Sequence, residues 1–388
     1  MNLLKNGGIL SFITSNKYTK SDYGKKLRKF LLNNYIELYI DYNNTNIFEN
    51  VSVDTSIIQI IKKEENNNNN ILVNNEFLLN QKCLNTNGFY FLKPGILKVM
   101  EKITQQGILL KNINKINIFR GVTTGYNDAF IIDEKAKNCL INKDIRNKKI
   151  IHPVLKGKNI KKNNLSFEYK YIIFTNQGID INKYPHIKEY LFQFKEDLTP
   201  KKKGEPRNKP GRSAGNYKWY EIQGNTKYYS LFEKPKLIFP DISKILFAFY
   251  DEEEYYLLNS AYMISLENIH DLKVIQALFC SNVLNFVLNI TGSKLDTNLR
   301  LTASNISDLP IKIPKNQGDK NKLIKLIEQI QSDTFSLNSL GEDAKLIKIA
   351  EIRKNENKLN KIIYDLYNLD EDNIKVIEDY LENIDDGK

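Results

Sequence analysis

The stretch that decides the fold is GGILSFITSNKY, residues Gly7–Tyr18. Its apolar run, residues 8–14, has the length of a strand and lies between glycine and Ser15-Asn16. This pattern predicts a buried strand. Two more apolar runs follow at residues 36–42 and 51–61, so the chain is predicted to open with three strands.

A helix is predicted between the first two strands, over residues 21–34. Apolar side chains recur there at helical spacing, and cationic side chains take the other positions. The apolar set is Tyr23, Leu27, Phe30 and Leu31, and the cationic set is Lys25, Lys26, Arg28 and Lys29. This order of elements matches the end of an α/β sheet, because a doubly wound domain needs more βα units than about sixty residues hold. We therefore expect the chain to begin inside a domain.

The rest of the chain falls into three predicted parts. Residues 65–105 are expected to be a linker and connecting segment, because they open with a charged, Asn-rich stretch that has little to bury. Residues 106–315 contain short aromatic and β-branched runs, with helical patterns at 186–194 and 272–288, which predicts an α+β domain. Residues 316–388 have helical periodicity, which predicts a helical tail.

Charge favours a polyanionic partner. The 388 residues include 57 Lys and Arg against 46 Asp and Glu, a formal net charge of +11. Residues 340–388 contain 13 acidic and 8 basic residues, so the positive excess lies in the front and middle of the chain. Nucleic acid is the expected partner, although a Lys-rich proteome produces the same excess.

Several classes of protein do not fit the composition. No apolar run is long enough to cross a bilayer, and no signal peptide opens the chain, so a cytoplasmic protein without membrane contact is expected. The three cysteines form no CxxC pair and the three histidines are scattered, which argues against a disulfide framework and against a metal site. The phosphate-binding motif GxGxxG is also missing.

Four blocks near the start of the chain carry a family resemblance: GGILSFITSNKY (7–18), YGKKLRKFL (23–31), IFENV (47–51) and DTSII (54–58). In this order they resemble the distal half of the catalytic domain of gamma-type N6-adenine DNA methyltransferases of the type IIG restriction-modification group. The resemblance implies that residues 1–64 are an α/β remnant of a Rossmann-like methyltransferase sheet.

The middle of the chain is similar to the TaqI-like target-recognition domain of the same family. The matching motifs are RGVTTGYNDAF (120–130), HPVLKG (152–157), KWYE (218–221), KPKLI (234–238) and DLPIKIP (308–314). In the tail, IYDLYNL (363–369) is similar to the family's C-terminal helices. The resemblance implies that residues 106–315 bind double-stranded DNA and recognise its sequence.

The resemblance also implies which parts of the catalytic machinery to look for. Family members hold S-adenosylmethionine in a glycine-bearing loop and the target adenine with an Asn-Pro-Pro-Tyr motif. Neither occurs here, and the sequence has no Pro-Pro pair. Because the amino group of adenine is a poor nucleophile, methyl transfer depends on that positioning. We therefore expect no catalytic residue, no cofactor bound by this chain alone, and no activity without a separate chain that supplies the missing half-domain. A protein-interaction module that uses the helical tail is the remaining alternative.

Phe48 is the candidate for stacking on the target base. In the resembling family the base is rotated out of the duplex, and an aromatic residue just before the last strand packs on it. The alternative is an aromatic turn residue that packs into the sheet.

Two segments are candidates for DNA contact. The two-glycine loop, residues 120–127, places a guanidinium among hydroxyl and amide groups, with Lys156 in the next motif. Its candidates are Arg120, Thr123, Thr124, Tyr126 and Asn127. Alternatively, its glycines only shape turns and Arg120 pairs with a carboxylate.

The second segment is the basic loop, residues 200–211 together with Arg212, which has three prolines and is expected to fold onto phosphates. Its candidates are Lys201, Lys202, Lys203, Arg207, Lys209 and Arg212. A solvated loop that only aids solubility is the alternative. Trp219, the single tryptophan, is predicted to anchor the core.

Overall fold

The computed structural model describes residues 1–42, 47–48, 54–63, 69–206, 208–224, 227–295 and 297–385. The chain forms a mixed α/β fold with several sheets. Its first elements are β1 (Ile9–Ser15), α1 (Lys25–Leu32), β2 (Tyr35–Asp41), β3 (Thr55–Ile61), β4 (Asn70–Val73), β5 (Phe77–Asn80), α2 (Pro94–Gln106), β6 (Ile108–Leu109), β7 (Asn117–Arg120), α3 (Asn127–Phe130), β8 (Ile131–Asp133), α4 (Glu134–Lys143), β9 (Ile151–Leu155), β10 (Ile160–Lys161), β11 (Asn164–Leu165), β12 (Lys170–Ile173), α5 (Pro185–Phe192) and α6 (Lys195–Leu198).

The remaining elements are β13 (Lys236–Pro240), β14 (Ile242–Ser243), β15 (Phe249–Asp251), β16 (Tyr256–Leu257), β17 (Ala261–Ser265), α7 (Ile269–Phe279), α8 (Asn282–Thr291), β18 (Lys294–Leu295), β19 (Asn298–Arg300), α9 (Ala303–Ser307), β20 (Pro310–Ile311), α10 (Gln317–Ser336), α11 (Glu342–Leu366) and α12 (Glu371–Asp385). The chain divides into two units. The first unit contains residues 1–107, 285–299 and 367–388, and the second unit contains residues 108–284 and 300–366.

A five-stranded sheet forms the centre of the first unit, in the order β1-β3-β2-β4-β5. Strand β3 lies between β1 and β2 and is antiparallel to both. It takes the inner place because six of its seven residues are apolar or have short hydroxyl side chains that fit a pleated surface. One face of the sheet is buried and includes Ile36, Tyr39, Ile58 and Ile60.

Residues 65–105 are not the predicted linker. Within this segment β4 and β5 continue the first sheet as an antiparallel hairpin, and α2 follows. Asn74 and Asn75 make the turn with φ of 51° and 58°, a left-handed conformation that asparagine adopts more readily than most residues. Part of the Asn-rich composition therefore serves a tight turn. Residues 64–68 lie outside the described part of the chain.

Strand β1 has the predicted position but not the predicted burial. It is an edge strand, and among the described residues it pairs with β3 alone. Three of its apolar side chains are exposed, with Ile9 at 52%, Phe12 at 57% and Ile13 at 45%. Strand length and apolarity predict a strand correctly, but neither shows whether a neighbour covers it.

Helix α1 is shorter than the predicted helix 21–34 and buries only part of the predicted apolar face. Leu31 is buried as predicted, but Tyr23, Leu27 and Phe30 are exposed and Arg28 is buried. The Arg28 guanidinium donates to the carbonyls of Tyr18 at 2.6 Å, Ser21 at 2.8 Å and Thr86 at 2.9 Å. Carbonyl acceptors compensate its burial, which residue type alone does not reveal.

The second unit contains two four-stranded sheets, β16-β9-β12-β8 and β15-β13-β17-β7, around one continuous apolar core. Helix α10 packs against α7 and α11. Among the described residues no single helix is long and apolar enough to span a membrane. The bent pair α7 and α8 meets that length and composition jointly, and most of their apolar side chains are buried in the protein.

Candidate nucleic-acid interface

Three strand ends meet at one end of the sheet β15-β13-β17-β7. Strand β17 runs antiparallel to β7 and to β13, with Tyr262 opposite Arg120 and Ala261 opposite Pro240. Antiparallel pairing therefore brings the last residue of β7, the last residue of β13 and the first residues of β17 together. The two-glycine loop begins at this end of the sheet.

Two glycines of the family motifs allow close backbone approach here. A Cβ on Gly121 would lie 2.3 Å from the carbonyl oxygen of Leu258, and a Cβ on Gly157 would lie 2.2 Å from that of Ser260. Only glycine fits at such distances. Both motifs are thus held against the segment 257–260, and Lys156, which is partly exposed, lies next to this end of the sheet.

Arg120 is half exposed, and its guanidinium is held by two hydrogen bonds. Its Nε donates to the carbonyl of Asn259 at 2.6 Å, and its Nη2 donates to Asp241 Oδ2 at 3.2 Å. The guanidinium also lies 5.7 Å from the centre of the Tyr262 ring. The carboxylate pairing considered from the sequence is therefore present, and half of the side chain still faces solvent.

The two-glycine loop is shaped by its own polar groups. Thr124 is buried and its hydroxyl donates to Asn127 Oδ1 at 2.7 Å, while Asn127 itself is exposed. Thr123 and Tyr126 are partly exposed, and burial raises the pKa of Tyr126. The second glycine, Gly125, has a φ of 81° and turns the chain. Of the threonines, Thr123 is the more accessible candidate.

Arg212 does not face solvent as predicted for a phosphate contact. It is 3% exposed, and its guanidinium donates to five backbone carbonyls. These belong to Leu198, Thr124, Glu221, Lys218 and Trp219, at 2.7, 2.8, 2.8, 3.3 and 3.0 Å. Burial lowers the pKa of Arg212 to about 10, so the side chain remains charged at neutral pH. Arg212 joins the basic loop to the two-glycine loop instead of binding a ligand.

The basic loop projects from a closed base. Lys201 N donates to Arg212 O at 2.9 Å, and Arg212 N donates to Thr199 O at 3.1 Å. Lys202 and Lys203 are exposed, Lys201 is partly buried, and Lys209 pairs with Glu205 at 2.5 Å. Arg207 lies outside the described residues. Arg212 thus holds the base of this loop against the two-glycine loop.

Two aromatic candidates have different surroundings. Phe48 is 46% exposed, so it is not packed into the sheet as the alternative requires. Most of its motif, residues 49–51, lies outside the described part. Trp219 packs against the core of the second unit with edge-on contacts to Phe192 and Tyr220, which confirms its predicted anchoring role.

Other residues of the family motifs stabilise the scaffold. The ring of His152 stacks on Tyr256 with centroids 4.1 Å apart, and burial lowers the pKa of His152. Lys236 and Asp251 form an ion pair of 2.6 Å in which both side chains are fully buried. Glu221 accepts from the backbone N–H of Gly178 and of Lys218. A match to a recognition-domain motif therefore does not by itself mark a DNA contact.

Sequence reasoning missed Asp241, Asn259 and Arg300. Arg300 Nη2 lies 3.5 Å from the same Asp241 oxygen that Arg120 contacts. Asp241 directly follows β13 and Arg300 ends β19. Their positions at strand ends were the available signal, but the sequence does not show which strand ends meet.

Two carboxylates lie at the end of the first sheet, where S-adenosylmethionine would need acceptors for its ribose hydroxyls and its ammonium group. Asp41 accepts from Asn16 at 3.1 Å, and Asp54 pairs with Lys17 at 3.0 Å. In the described part of the chain no group of His, Cys, Asp and Glu could hold a metal ion.

Comparison with known proteins gives two family matches. Residues 152–311 match the TaqI-like C-terminal specificity domain, and residues 1–48 match the Eco57I restriction-modification methylase. The resemblance to restriction-modification methyltransferases is confirmed. The type II methyltransferase M.BstVI of Geobacillus stearothermophilus is 22% identical over 421 residues, which cover 98% of this chain and 68% of that protein.

The fold is similar to that of the solved structure of MmeI. The type IIL restriction-modification enzyme MmeI, determined in complex with DNA, superposes with a TM-score of 0.59 at 15% identity over 97% of this chain. The type IIG restriction endonuclease BpuSI gives a TM-score of 0.39 at 14% identity over 94% of this chain. The chain spans 50% of the MmeI chain and 48% of the BpuSI chain.

Proposed function

We propose that the second unit recognises a specific sequence in double-stranded DNA. The chain would be the sequence-recognition part of a site-specific adenine-N6 DNA methyltransferase or type IIG restriction-modification enzyme. One observation carries this proposal: most of the region that matches a specificity domain belongs to the unit whose cationic side chains meet at one sheet end. The DNA in the MmeI complex is consistent with it.

The geometry divides the labour within the second unit. Arg212, His152 and Lys236 hold loops and strands. Arg212 and Lys236 are buried against polar partners, and the ring of His152 stacks on Tyr256. Arg120, Asn127, Lys156 and the basic loop remain for DNA. Lysines on an exposed loop suit phosphate contacts that can vary in position. A half-exposed arginine at the end of a strand is held in one place, so it suits a DNA contact with one fixed geometry.

Anisotropy titration of the full chain with labelled duplex DNA tests this function. We expect the affinity to fall steeply with salt and to exceed the affinity for single strands of the same sequence. A chain that binds neither form of DNA at low salt would contradict the proposal.

The exposed edge of the first unit favours a second function, a subunit of a split methyltransferase. Strand β1 presents Ile9, Phe12 and Ile13 to solvent, and a bare apolar edge strand is a template for pairing with another chain. In this proposal the first sheet is the end of a Rossmann-like methyltransferase sheet. A partner chain supplies the S-adenosylmethionine loop and the Asn-Pro-Pro-Tyr motif.

Reconstitution tests this second function. Purified chain is mixed with a polypeptide that carries both missing motifs, and transfer of labelled methyl groups to DNA is measured. We expect methyl transfer only when both chains are present. We expect that transfer to be lost when Phe12→Lys alters the exposed edge strand. The matched control Leu78→Lys changes a side chain of similar exposure, 58%, on the strand at the opposite edge of the same sheet. Methyl transfer by the isolated chain would contradict the proposal.

A further inference from the structure

Arg120, Asp241 and Arg300 form a group in which two guanidiniums share one carboxylate oxygen. Arg120 Nη2 lies 3.2 Å and Arg300 Nη2 lies 3.5 Å from Asp241 Oδ2. The exposed fractions of the two arginine side chains are 50% and 39%, whereas that of Asp241 is 11%. The group therefore presents two cations to solvent above one buried anion.

The hydrogen bonding of this group is incomplete. Among the residues that the structure describes, neither Asp241 Oδ1 nor Arg300 Nε has a hydrogen-bond partner, although both atoms are buried. A guanidinium has five N–H donors, and Arg300 directs only one of them at the carboxylate. Buried polar atoms without partners are rare in folded proteins and call for a specific reason.

A second arginine–aspartate pair of the same unit shows what a saturated pair looks like. Arg146 Nε lies 3.0 Å from both oxygens of Asp144, and its Nη2 lies 2.6 Å from Oδ2. That fork-to-fork geometry satisfies both carboxylate oxygens. The group at Asp241 differs because two arginines compete for one oxygen and leave the other unused.

We propose that Arg120 and Arg300 form a clamp for one backbone phosphate of DNA, and that Asp241 positions the two arginines. The group carries a net charge of +1, which one phosphodiester neutralises. A guanine edge is uncharged and takes a single arginine, so it would leave the second guanidinium without a partner. The clamp rests on the DNA recognition proposed above and adds Arg300 to it.

Binding of the phosphate also accounts for the two unused atoms. When the phosphate attracts Arg120, the shared oxygen is released to Arg300. Arg300 then meets Asp241 with both Nε and Nη2, as Arg146 meets Asp144 in the saturated pair. The incomplete hydrogen bonding of the free protein thus leaves both arginines able to turn toward a DNA phosphate.

Salt dependence of DNA binding tests the clamp, because its exponent counts neutralised phosphates. The full chain and the variants Arg300→Gln, Arg120→Gln and the double variant are titrated with duplex DNA at several salt concentrations. We expect each single variant to lower the log-log exponent by about one unit. We expect the double variant to lower it by about one in total, since both arginines serve one phosphate. The matched control Arg146→Gln should leave the exponent unchanged.

Three results would overturn the clamp. The first is a salt exponent of Arg300→Gln equal to that of the unaltered chain, and the second is a loss of about two units by the double variant. The third is a change, in Arg300→Gln, of the preference between a favoured duplex and its one-base variant. Arg300→Lys keeps the positive charge but loses the two parallel N–H donors of the guanidinium, so the salt exponent should stay unchanged while DNA affinity falls. This variant replaces Arg300→Gln if Arg300→Gln unfolds at a lower temperature than the unaltered chain. If the unaltered chain binds no DNA, the proposed function fails. Normal binding with an unchanged Arg300→Gln exponent rejects only the clamp.

Discussion

At the scale of single residues, burial decides which cations hold the protein together and which remain for a ligand. Arg28, Arg120 and Arg212 look alike in the sequence, yet Arg28 and Arg212 are 1% and 3% exposed and only Arg120 is half exposed. Composition gives the net positive charge of the chain. It did not separate these roles, because each depends on carbonyl groups that approach from distant parts of the chain.

Arg212→Gln should destabilise the second unit by about 3 kcal/mol, because buried carbonyls lose a charged donor. Trp219 reports this change, since it is the single tryptophan and its own carbonyl is one of the acceptors. Denaturant unfolding followed by tryptophan fluorescence measures the loss. The exposed Arg146→Gln serves as control and should change the midpoint little. An Arg212→Gln midpoint equal to that of the unaltered chain would contradict the joining role of Arg212.

His152 should make the second unit less stable as the pH falls from 7 to 5. Burial lowers the pKa of His152 in the folded protein, while the unfolded chain titrates near the ordinary value of about 6.5. Below that pH the unfolded state takes up a proton that the folded state does not, so stability decreases with decreasing pH. His152→Phe keeps an aromatic ring against Tyr256 and should reduce this pH dependence. An equal pH dependence of the free energy of unfolding in the two proteins would show that His152 does not cause this loss of stability.

At the scale of elements, the apolar patterns predicted the positions of strands and helices correctly but not which of their side chains are buried. The patterns at 36–42 and 51–61 correspond to β2 and β3, and the helical tail to α10, α11 and α12. The pattern at 272–288 forms two helices, because Ser281 interrupts it with a hydroxyl that donates to Leu278 O and accepts from Leu284 N. The exposure of β1 and the burial of Arg28 were missed, because both depend on neighbours that are distant in sequence.

Gly157→Ala should destabilise the second unit by about 1–3 kcal/mol, since its Cβ would overlap the carbonyl of Ser260. DNA affinity should fall with it, because the same contact holds the strand end that carries Arg120. Gly341→Ala is the matched control in the same unit, with no atom within 4 Å of the added Cβ. Thermal melting and DNA titration of both variants measure the two effects. A Gly157→Ala variant as stable as Gly341→Ala would contradict the close approach.

The basic loop should contribute to affinity without contributing to sequence preference. Replacing Lys201, Lys202, Lys203 and Arg207 together by Ala should lower the salt exponent by about one unit per lost phosphate contact. Exchanging the exposed Arg353, Lys354 and Lys358 of α11 for Ala is the charge control, because the tail is net acidic. An unchanged exponent in the loop variant would assign these lysines to solvent.

At the scale of the whole molecule, family motifs identified the type of domain but did not separate its structural residues from its candidate binding residues. The match at 152–311 confirms the specificity domain expected from the motifs. Many motif residues proved structural, whereas Arg300 and Asp241 lie in no block quoted for the family. Many motif residues record what the scaffold requires, and only the fold shows that Arg120, Asp241 and Arg300 meet at one end of a sheet.

Sequence recognition by the second unit is tested by affinity selection from a pool of randomised duplex DNA, followed by competition binding of the selected site against a scrambled duplex at fixed salt. Specific recognition predicts that one motif is enriched and that its affinity exceeds that of the scrambled duplex by a factor of about 10³ or more. An unenriched pool, with equal affinities for the two duplexes, would mean that the cationic end of the sheet binds DNA without reading it.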